Sequence, residues 1–572
     1  MALPSSILPR SPSLLVVGAG PTALSLVYHL LAKQGFDMSK KTGPMLCSQK
    51  SSSSVPFPPH TIVMVEADNN YSRNSACLSA GGLRTQFSLR ENVLISNYGL
   101  GFVNRLRDDS TDDFVPPPPL VGGGGVAASK LANPSSCDLP PPSPRSNPCG
   151  YINAGYLFLA GSQAGASSLQ ANSRTQAAAG VSGIRLLKGD KASIDDHAHR
   201  RGASFNTPNN SVSYGVPPGH STVDDAQADL PNLKATFPYL KTDDLLLGAY
   251  SKGAGDGFID PYSYMNVMKR AIIDKGVHLV SGSVVGGLAS SSSSSSSSAT
   301  VYAVNVDGGH GTFTPREVAL CAGASSGKVL SSLLSGASLS LLRAASLPVV
   351  GRRRVIHTFQ CCDDAGLAVV SDGSPAGRAG AGTPPSAKSD EQELAKPNGA
   401  HPLTVDPTGV WYRSEGVTPE GVGPTRFICG LSPDETNPNS EPDPDCTLGD
   451  DKERDARTFE YNEDDARHFR DVIWPALFER VPIFGGLRPM GGWAGLYDFN
   501  KLDQNALLGR HPMVDNVVVA TGFSGHGLQQ AAGAGREGAE VLLDLPRSID
   551  LRRLSVERLF DGSKGVFEEG IV

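Results

Sequence analysis

Residues 14–17 form a short unbroken apolar run. Gly18-Ala19-Gly20-Pro21-Thr22-Ala23 follows, and then Leu24, Val27, Leu30 and Leu31 recur at helical spacing. The pattern predicts a buried strand, a tight turn and an apolar-faced helix. Residues 61–65 predict the next buried strand, closed by Glu66. Near the other end, residues 517–520 predict a last buried strand, residues 521–530 a glycine-rich turn, and residues 533–543 a last helix. Between these ends, residues 262–271 have a helical period, and residues 277–280, 301–306 and 317–321 read as strands. Residues 150–159, 352–360, 403–411 and 427–431 predict a second, mostly antiparallel sheet. Residues 461–473 predict a helix that ends before Pro475.

Polar and small residues interrupt this pattern. Residues 37–60 look like an insertion between the first helix and the second strand. Residues 115–148, 162–180, 196–229, 289–299, 371–400 and 432–457 are rich in Ser, Pro, Gly or acid and are expected to be flexible surface loops. The expected fold is therefore α/β. A Rossmann-like dinucleotide domain is assembled from residues 13–103, 262–350 and 481–545. An inserted, mostly antiparallel α+β substrate domain takes residues 150–260 and 351–480.

Composition narrows the function classes. A chain of 572 residues has room for two or more domains. A net charge of −7 without a basic, aromatic-studded stripe argues against nucleic acid. No run of 18 apolar residues predicts a membrane span. Nine cysteines form no C-x-x-C pair, which suits reduced thiols in a cytosolic or matrix compartment. No Arg-rich transit peptide is visible before the first strand. His197-x-His199 and the acids of residues 441–451 resemble metal ligands only superficially, so no metal is expected. Cys361-Cys362 is expected as two free thiols, because a vicinal disulfide is strained.

The first turn has the Gly-x-Gly-x-x-Gly/Ala form. Gly18 permits the turn, Gly20 lets backbone approach a pyrophosphate, and Ala23 lets helix and strand pack closely. Glu66 is placed to accept ribose hydroxyls, although it lies 46 positions beyond Gly20, more than twice the usual separation of about 20. The second turn, Gly522-Phe523-Ser524-Gly525-His526-Gly527-Leu528, offers backbone N–H groups at a helix start to an anionic group. Two such turns at opposite ends of one chain suit a long ligand such as FAD better than NAD alone.

These turns, together with SACLSAGGLRTQFS at residues 75–88 and the segments at 493–509 and 520–540, resemble the D-amino-acid-oxidase-like (DAO) flavoproteins. That family includes sarcosine oxidase, glycine oxidase and dimethylglycine dehydrogenase, and the resemblance extends to a mitochondrial member associated with assembly of respiratory complex I. It implies an FAD-dependent oxidoreductase acting on C–N bonds of amines or amino acids. The alternative is a non-catalytic flavoprotein that assists assembly of NADH dehydrogenase. It also implies a mitochondrial location, otherwise a cytoplasmic one. By position it makes Ser79, Ala80, Gly81 and Gly82 the turn over the flavin ring, and Val285 the residue whose backbone meets adenine. Cys321, Ala322, Gly323 and Ala324 become the strand-end return to the nucleotide, and residues 522–528 the ring-anchoring loop. Ser79 and Ala494 or Gly495 stand where relatives attach flavin covalently, so non-covalent FAD is expected. Cys77 is the nearest thiol.

Arg84 is a candidate for a substrate carboxylate, Gln86 for a hydrogen bond to flavin or substrate, and His526 for catalysis by its imidazole or for loop geometry alone. Trp493 and Tyr497 are candidates to wall the cavity. Asp503 reads as an acid that holds a turn.

Overall fold

The computed structural model describes residues 8–38, 55–107, 147–191, 230–290, 298–361, 401–415, 426–431, 445–446, 458–563, 565 and 567–568. A six-stranded sheet runs in the order Leu507–Arg510, Val517–Thr521, Glu317–Leu320, Leu14–Val17, Ile62–Glu66, His278–Ser281. All its pairings are parallel except that between its first two strands. Every residue of Leu14–Val17 and of Val517–Thr521 is buried. Continuous apolar runs suit such strands because both faces are covered. The helix Pro21–Lys33 and the closing helix Gly527–Leu542 pack against each other on one face. Gly535 permits the approach, because a Cβ there would lie 2.5 Å from the Leu26 backbone nitrogen.

A larger, nine-stranded sheet is mostly antiparallel. Its longest ladder pairs Val349–Cys361 with Leu487–Asn500. Residues 487–500 thus belong to the antiparallel sheet, although the sequence pattern grouped them with the third dinucleotide segment. A two-residue ribbon joins Gly82–Leu83 to Gly257–Phe258, and a separate three-stranded sheet holds Val284–Ser290, Thr300–Val306 and Gly311–Phe313.

Three local expectations are corrected. Residues 163–178, read as loop, form a helix. Ser162 caps it by accepting from the Gly165 N–H at 3.1 Å, and its alanines favour helix more than its low hydrophobicity suggested. It is anchored by Gln176, which donates to the Phe87 carbonyl at 3.0 Å. Pro475 does not end its helix. A π turn at Phe469–Ile473 shifts the ladder, and Pro475 enters the first turn of Trp474–Arg480. Residues 403–411 are not one strand but parts of two, Leu403–Val405 and Val410–Ser414, paired antiparallel. Gly409, at φ +86°, makes the turn between them.

Residues 196–229, 371–400, 432–444 and 447–457, most of 115–148, and residues 291–297 lie outside the described residues, as do the histidines at 197 and 199. Among the described residues no helix is long and apolar enough to cross a membrane, and no group of three His, Cys, Asp or Glu side chains is placed to hold a metal. Among the described residues Cys361 forms no disulfide, and Cys362 lies outside them.

Candidate active site

Both glycine turns leave the same edge of the parallel sheet, on either side of Glu317–Leu320. Ligands of open parallel sheets bind at that carboxyl edge. Cys321 donates from its N–H to the Val17 carbonyl at 2.9 Å, and Thr521 donates from its hydroxyl to the Gly323 carbonyl at 3.1 Å. The Cys321 to Gly323 return therefore ties the two turns together.

At the first turn Gly18 adopts φ +101°, and a Cβ there would collide with the Cys321 carbonyl oxygen. Gly20 has ordinary extended backbone and faces Asn74. Ala23 is fully buried. Glu66 accepts from the Ala19 N–H at 2.7 Å and the Asp68 N–H at 3.0 Å. Burial raises the pKa of its carboxyl, and each oxygen keeps a further lone pair for a hydroxyl donor. Among the described residues, no protein acceptor meets the N–H groups of Gly20, Thr22 and Ala23. These groups at a helix start fit a pyrophosphate. Gly282 donates to the Glu66 carbonyl at 2.9 Å, which brings the following Ser283-Val284-Val285 stretch beside this turn. Val285 is 62% exposed, and the pairing with Thr300–Val306 skips it.

The second turn is built differently. Asp498 reaches in from the long strand and accepts from the Gly522 N–H at 2.8 Å and the Phe523 N–H at 3.1 Å. The Ser524 N–H goes to the Asp498 carbonyl at 3.1 Å, and the His526 N–H to Phe523 at 3.0 Å. Four of the N–H groups expected to face a ligand are therefore spent inside the turn. Those of Gly525, Gly527 and Leu528 meet no protein acceptor among the described residues, so the donor set narrows to the helix start. Burial pushes the Asp498 carboxyl up to about 6. Gly522 and Gly525 have φ +75° and +94°, and Ser524 shares this left-handed region at +49°.

The segment from Ser75 to Gln86 lies between the two turns and the antiparallel sheet. Ser79 donates to the Ala76 carbonyl at 2.7 Å and accepts from the Gly81 N–H at 3.1 Å. The sheet latches this segment: Trp493 donates to the Leu78 carbonyl at 2.8 Å, and Arg413 donates twice to the Ala80 carbonyl, at 3.0 and 2.8 Å. Gly81 has φ +70°, and a Cβ at Gly82 would strike the Tyr156 hydroxyl. A pocket opens between the segment and the sheet. Ser79, Ala80, Arg354, Trp411 and Tyr497 are among its lining residues.

Arg84, Gln86 and His526 do not line that pocket. Arg84 is 3% exposed and His526 5%. The Arg84 guanidinium donates to the Gln86 carbonyl at 3.1 Å, approaches His526 Nε2 at 3.2 Å, and lies 4.4 Å from the Phe87 ring centre. Burial and this neighbouring cation hold His526 well below the usual imidazole range, so the ring is neutral. The Gln86 amide donates to the Ala249 carbonyl at 3.1 Å, while its buried oxygen has no partner among the described residues. Asp256 accepts from the Thr85 N–H and hydroxyl, both at 2.9 Å, and burial pushes it up to about 6. Asp503 holds a turn as expected, accepting from the Asn505 N–H at 3.2 Å and pairing with Arg558 at 2.9 Å.

Arg413, Asp256 and Asn74 are not among the residues the sequence singles out. No local motif marks them. Arg413 and Ala80 are 333 positions apart, so only the folded chain joins them.

The comparisons with known proteins agree with this geometry. The family description "FAD dependent oxidoreductase" (DAO) matches residues 13–541. The chain belongs to the DAO family of FAD-dependent oxidoreductases. It is 26% identical over 573 residues to FAD-dependent oxidoreductase domain-containing protein 1 of Bos taurus, covering 98% of this chain and 87% of that one. Among solved structures, L-proline dehydrogenase from P. horikoshii superposes with a TM-score of 0.59 at 14% identity, covering 97% of this chain and 100% of that one. Glycine oxidase from Geobacillus kaustophilus does so with a TM-score of 0.54 at 13% identity, covering 96% and 99%. The chain is thus a DAO-fold, FAD-dependent oxidoreductase.

Proposed function

We propose that this protein oxidises the C–N bond of a small amine or amino acid. The observation that carries the reading is the convergence of three features at one edge: the Gly18 turn, the bare start of the closing helix, and the pocket beside Ser79 and Ala80. Bound FAD supplies the acceptor for the hydride that leaves the carbon next to nitrogen. The chain supplies position and field. The Gly20, Thr22 and Ala23 N–H groups hold pyrophosphate, Glu66 a ribose hydroxyl, and the Val285 backbone adenine. Ala322 and Gly323 support the nucleotide from the central strand end. The Gly525, Gly527 and Leu528 N–H groups stabilise negative charge on the reduced ring. Trp411 and Tyr497 exclude water from the pocket, and Arg354 is the charged side chain at its wall.

Attachment of FAD is non-covalent in this reading. Ser79 is occupied with its own turn, and the Cys77 thiol, pushed up to about 12 by burial, is a poor nucleophile. A second reading is a flavoprotein that assists complex I assembly in mitochondria. The sequence resemblance to a mitochondrial member associated with complex I assembly supports it. One experiment separates the two. The purified protein is titrated anaerobically with N-methyl and free amino acids while its visible spectrum is followed. Bleaching is the expected result. A stoichiometric flavin left inert by every amine favours the assembly role, and an acid-precipitated pellet that stays yellow contradicts non-covalent binding.

A further inference from the structure

Glu568 lies far along the chain from every predicted site residue, yet it is 4% exposed. Its carboxylate accepts four hydrogen bonds. Ser88 donates from its N–H and its hydroxyl, both at 2.6 Å, Leu89 from its N–H at 3.1 Å, and Asn92 from its amide at 2.9 Å. These donors sit at the start of the helix Arg90–Arg107. An anion accepting from a helix start is favourable in charge as well as geometry.

The contacts continue into the cofactor site. Gln530, in the first turns of the closing helix, donates to the Asn92 side-chain oxygen at 3.3 Å. Its neighbour Gln529 accepts from the Arg84 N–H at 3.0 Å, and Arg84 faces His526, the residue that precedes the helix. Asn92 also donates to the Asn505 side chain at 2.8 Å. The Asn505 N–H bonds Asp503, which bonds Asn500, whose own N–H goes to the Ser524 hydroxyl at 3.0 Å. Gly565 packs on this group, where a Cβ would come within 2.6 Å of Asp503 Cβ. Two routes, both starting through Asn92, thus lead from Glu568 to the closing turn.

We propose that Glu568 is a positioning residue of the cofactor site, holding the Arg84 to Asn92 stretch against the first turn of the closing helix so that its free N–H groups meet the flavin ring. The proposal rests on the reading that this turn receives the ring. A carboxylate is required because both oxygens accept. An amide would turn one NH2 toward donors, so Glu568→Gln is not a silent change.

The test uses the full chain loaded with FAD, with Glu568→Gln and Glu568→Ala as variants and the neighbouring exposed Phe567→Ala as control. The FAD dissociation constant is expected to rise about tenfold or more in both Glu568 variants, the worth of one charge-assisted buried contact. The flavin absorption bands should shift, and Phe567→Ala should match the parent. Sodium acetate, but not acetamide, should restore affinity and bands in Glu568→Ala, which a merely structural role would not do. Parent-like affinity and bands in Glu568→Gln overturn the proposal, as does equal rescue by acetamide. If neither Glu568 variant folds, Asn92→Ser cuts both routes while leaving Glu568 on Ser88 and Leu89; a band shift supports the proposal and parent-like bands overturn it. A parent protein that takes up no FAD counts against the cofactor site itself, which keeps the two failures apart.

Discussion

The two glycine turns are built to the same plan and stabilised in different ways. Each follows a buried parallel strand, starts a helix, and bonds a half-buried carboxylate through N–H: Glu66 of the adjacent parallel strand for the first, Asp498 of the antiparallel sheet for the second. At the first turn the acid takes one turn N–H, and strain is confined to Gly18, which abuts the central strand. At the second, Asp498 takes three through its carboxylate and carbonyl, and Gly522, Ser524 and Gly525 all have positive φ. In the proposed reading the first turn is an open cradle for a rigid, always-charged group. In the same reading the second is a pre-shaped turn whose few remaining donors would face a charge that appears only on reduction. Internal bonding holds those donors in place beforehand, so no reorganisation is needed when the charge develops.

The largest effect expected from breaking this comparison lies at the first turn. Gly18→Val forces a branched residue into positive φ against the Cys321 carbonyl, where the backbone conformation alone costs about 1–3 kcal/mol. Both stability and FAD should be lost. Gly20→Val meets only the Asn74 side chain, at 3.4 Å, and should give a stable apoprotein. Melting curves and the flavin-to-protein ratio separate the two, and a full flavin complement in Gly20→Val would remove the pyrophosphate assignment.

At the second turn the expected loss is graded. A side chain at Gly525 meets the Tyr497 ring 2.6 Å away, so Gly525→Val should displace the free donors without touching the first turn. FAD should bind more weakly but detectably, and its reduction potential should fall, since each donor at a developing charge is worth about 2.7–4 kcal/mol by analogy with oxyanion sites. His526→Ala should do less, because the neutral imidazole is engaged with Arg84. A larger drop in potential for the histidine variant would shift the role from backbone to side chain.

The smallest effect is a difference in acid sensitivity between the two sheets. Burial holds His357 and His401 of the antiparallel half at about 4. A depressed folded pKa gives stability that is complete above the unfolded value and is lost as pH falls toward 4. The parallel half also has depressed histidines, His511 at about 4, His29 at about 3 and His526 well below the usual range, but opposes them with Glu537 at about 7 and with Asp498, which reaches its second turn from the other sheet, at about 6, both raised chiefly by burial. Raised carboxyls stabilise at low pH and lose that contribution as pH rises through 6 to 7. Between pH 7 and 5, hydrogen exchange should therefore show the 349–361 strand losing protection before 14–17 and 517–521. The reverse order would mean the parallel half governs acid stability.

Local pattern carried much of this molecule. Runs such as Leu14–Val17 and Val517–Thr521 announce buried parallel strands because both faces must be apolar, and the glycine turns after them are short enough to read directly. Gly18, Gly20 and Ala23 share one turn, and Glu66 bonds the Ala19 N–H within it although it lies 46 positions beyond Gly20. Where burial is one-sided or the segment is rich in small residues, local pattern was less informative. The helix at 163–178 has few apolar residues, and the 487–500 strand alternates too weakly to declare its sheet.

The order of strand, turn and helix, and hence the cofactor class, was set by residues within a few positions of one another. Which donors remain free, and what surrounds them, was decided only when distant segments met. Asp498 silences the Gly522 and Phe523 N–H groups, Arg84 and His526 are 442 positions apart yet face each other, and Glu568 reaches Ser88 across 480 positions. Hydrogen bonds have no sequence period, so partners at such separation leave no trace in the chain until packing brings them within 3 Å.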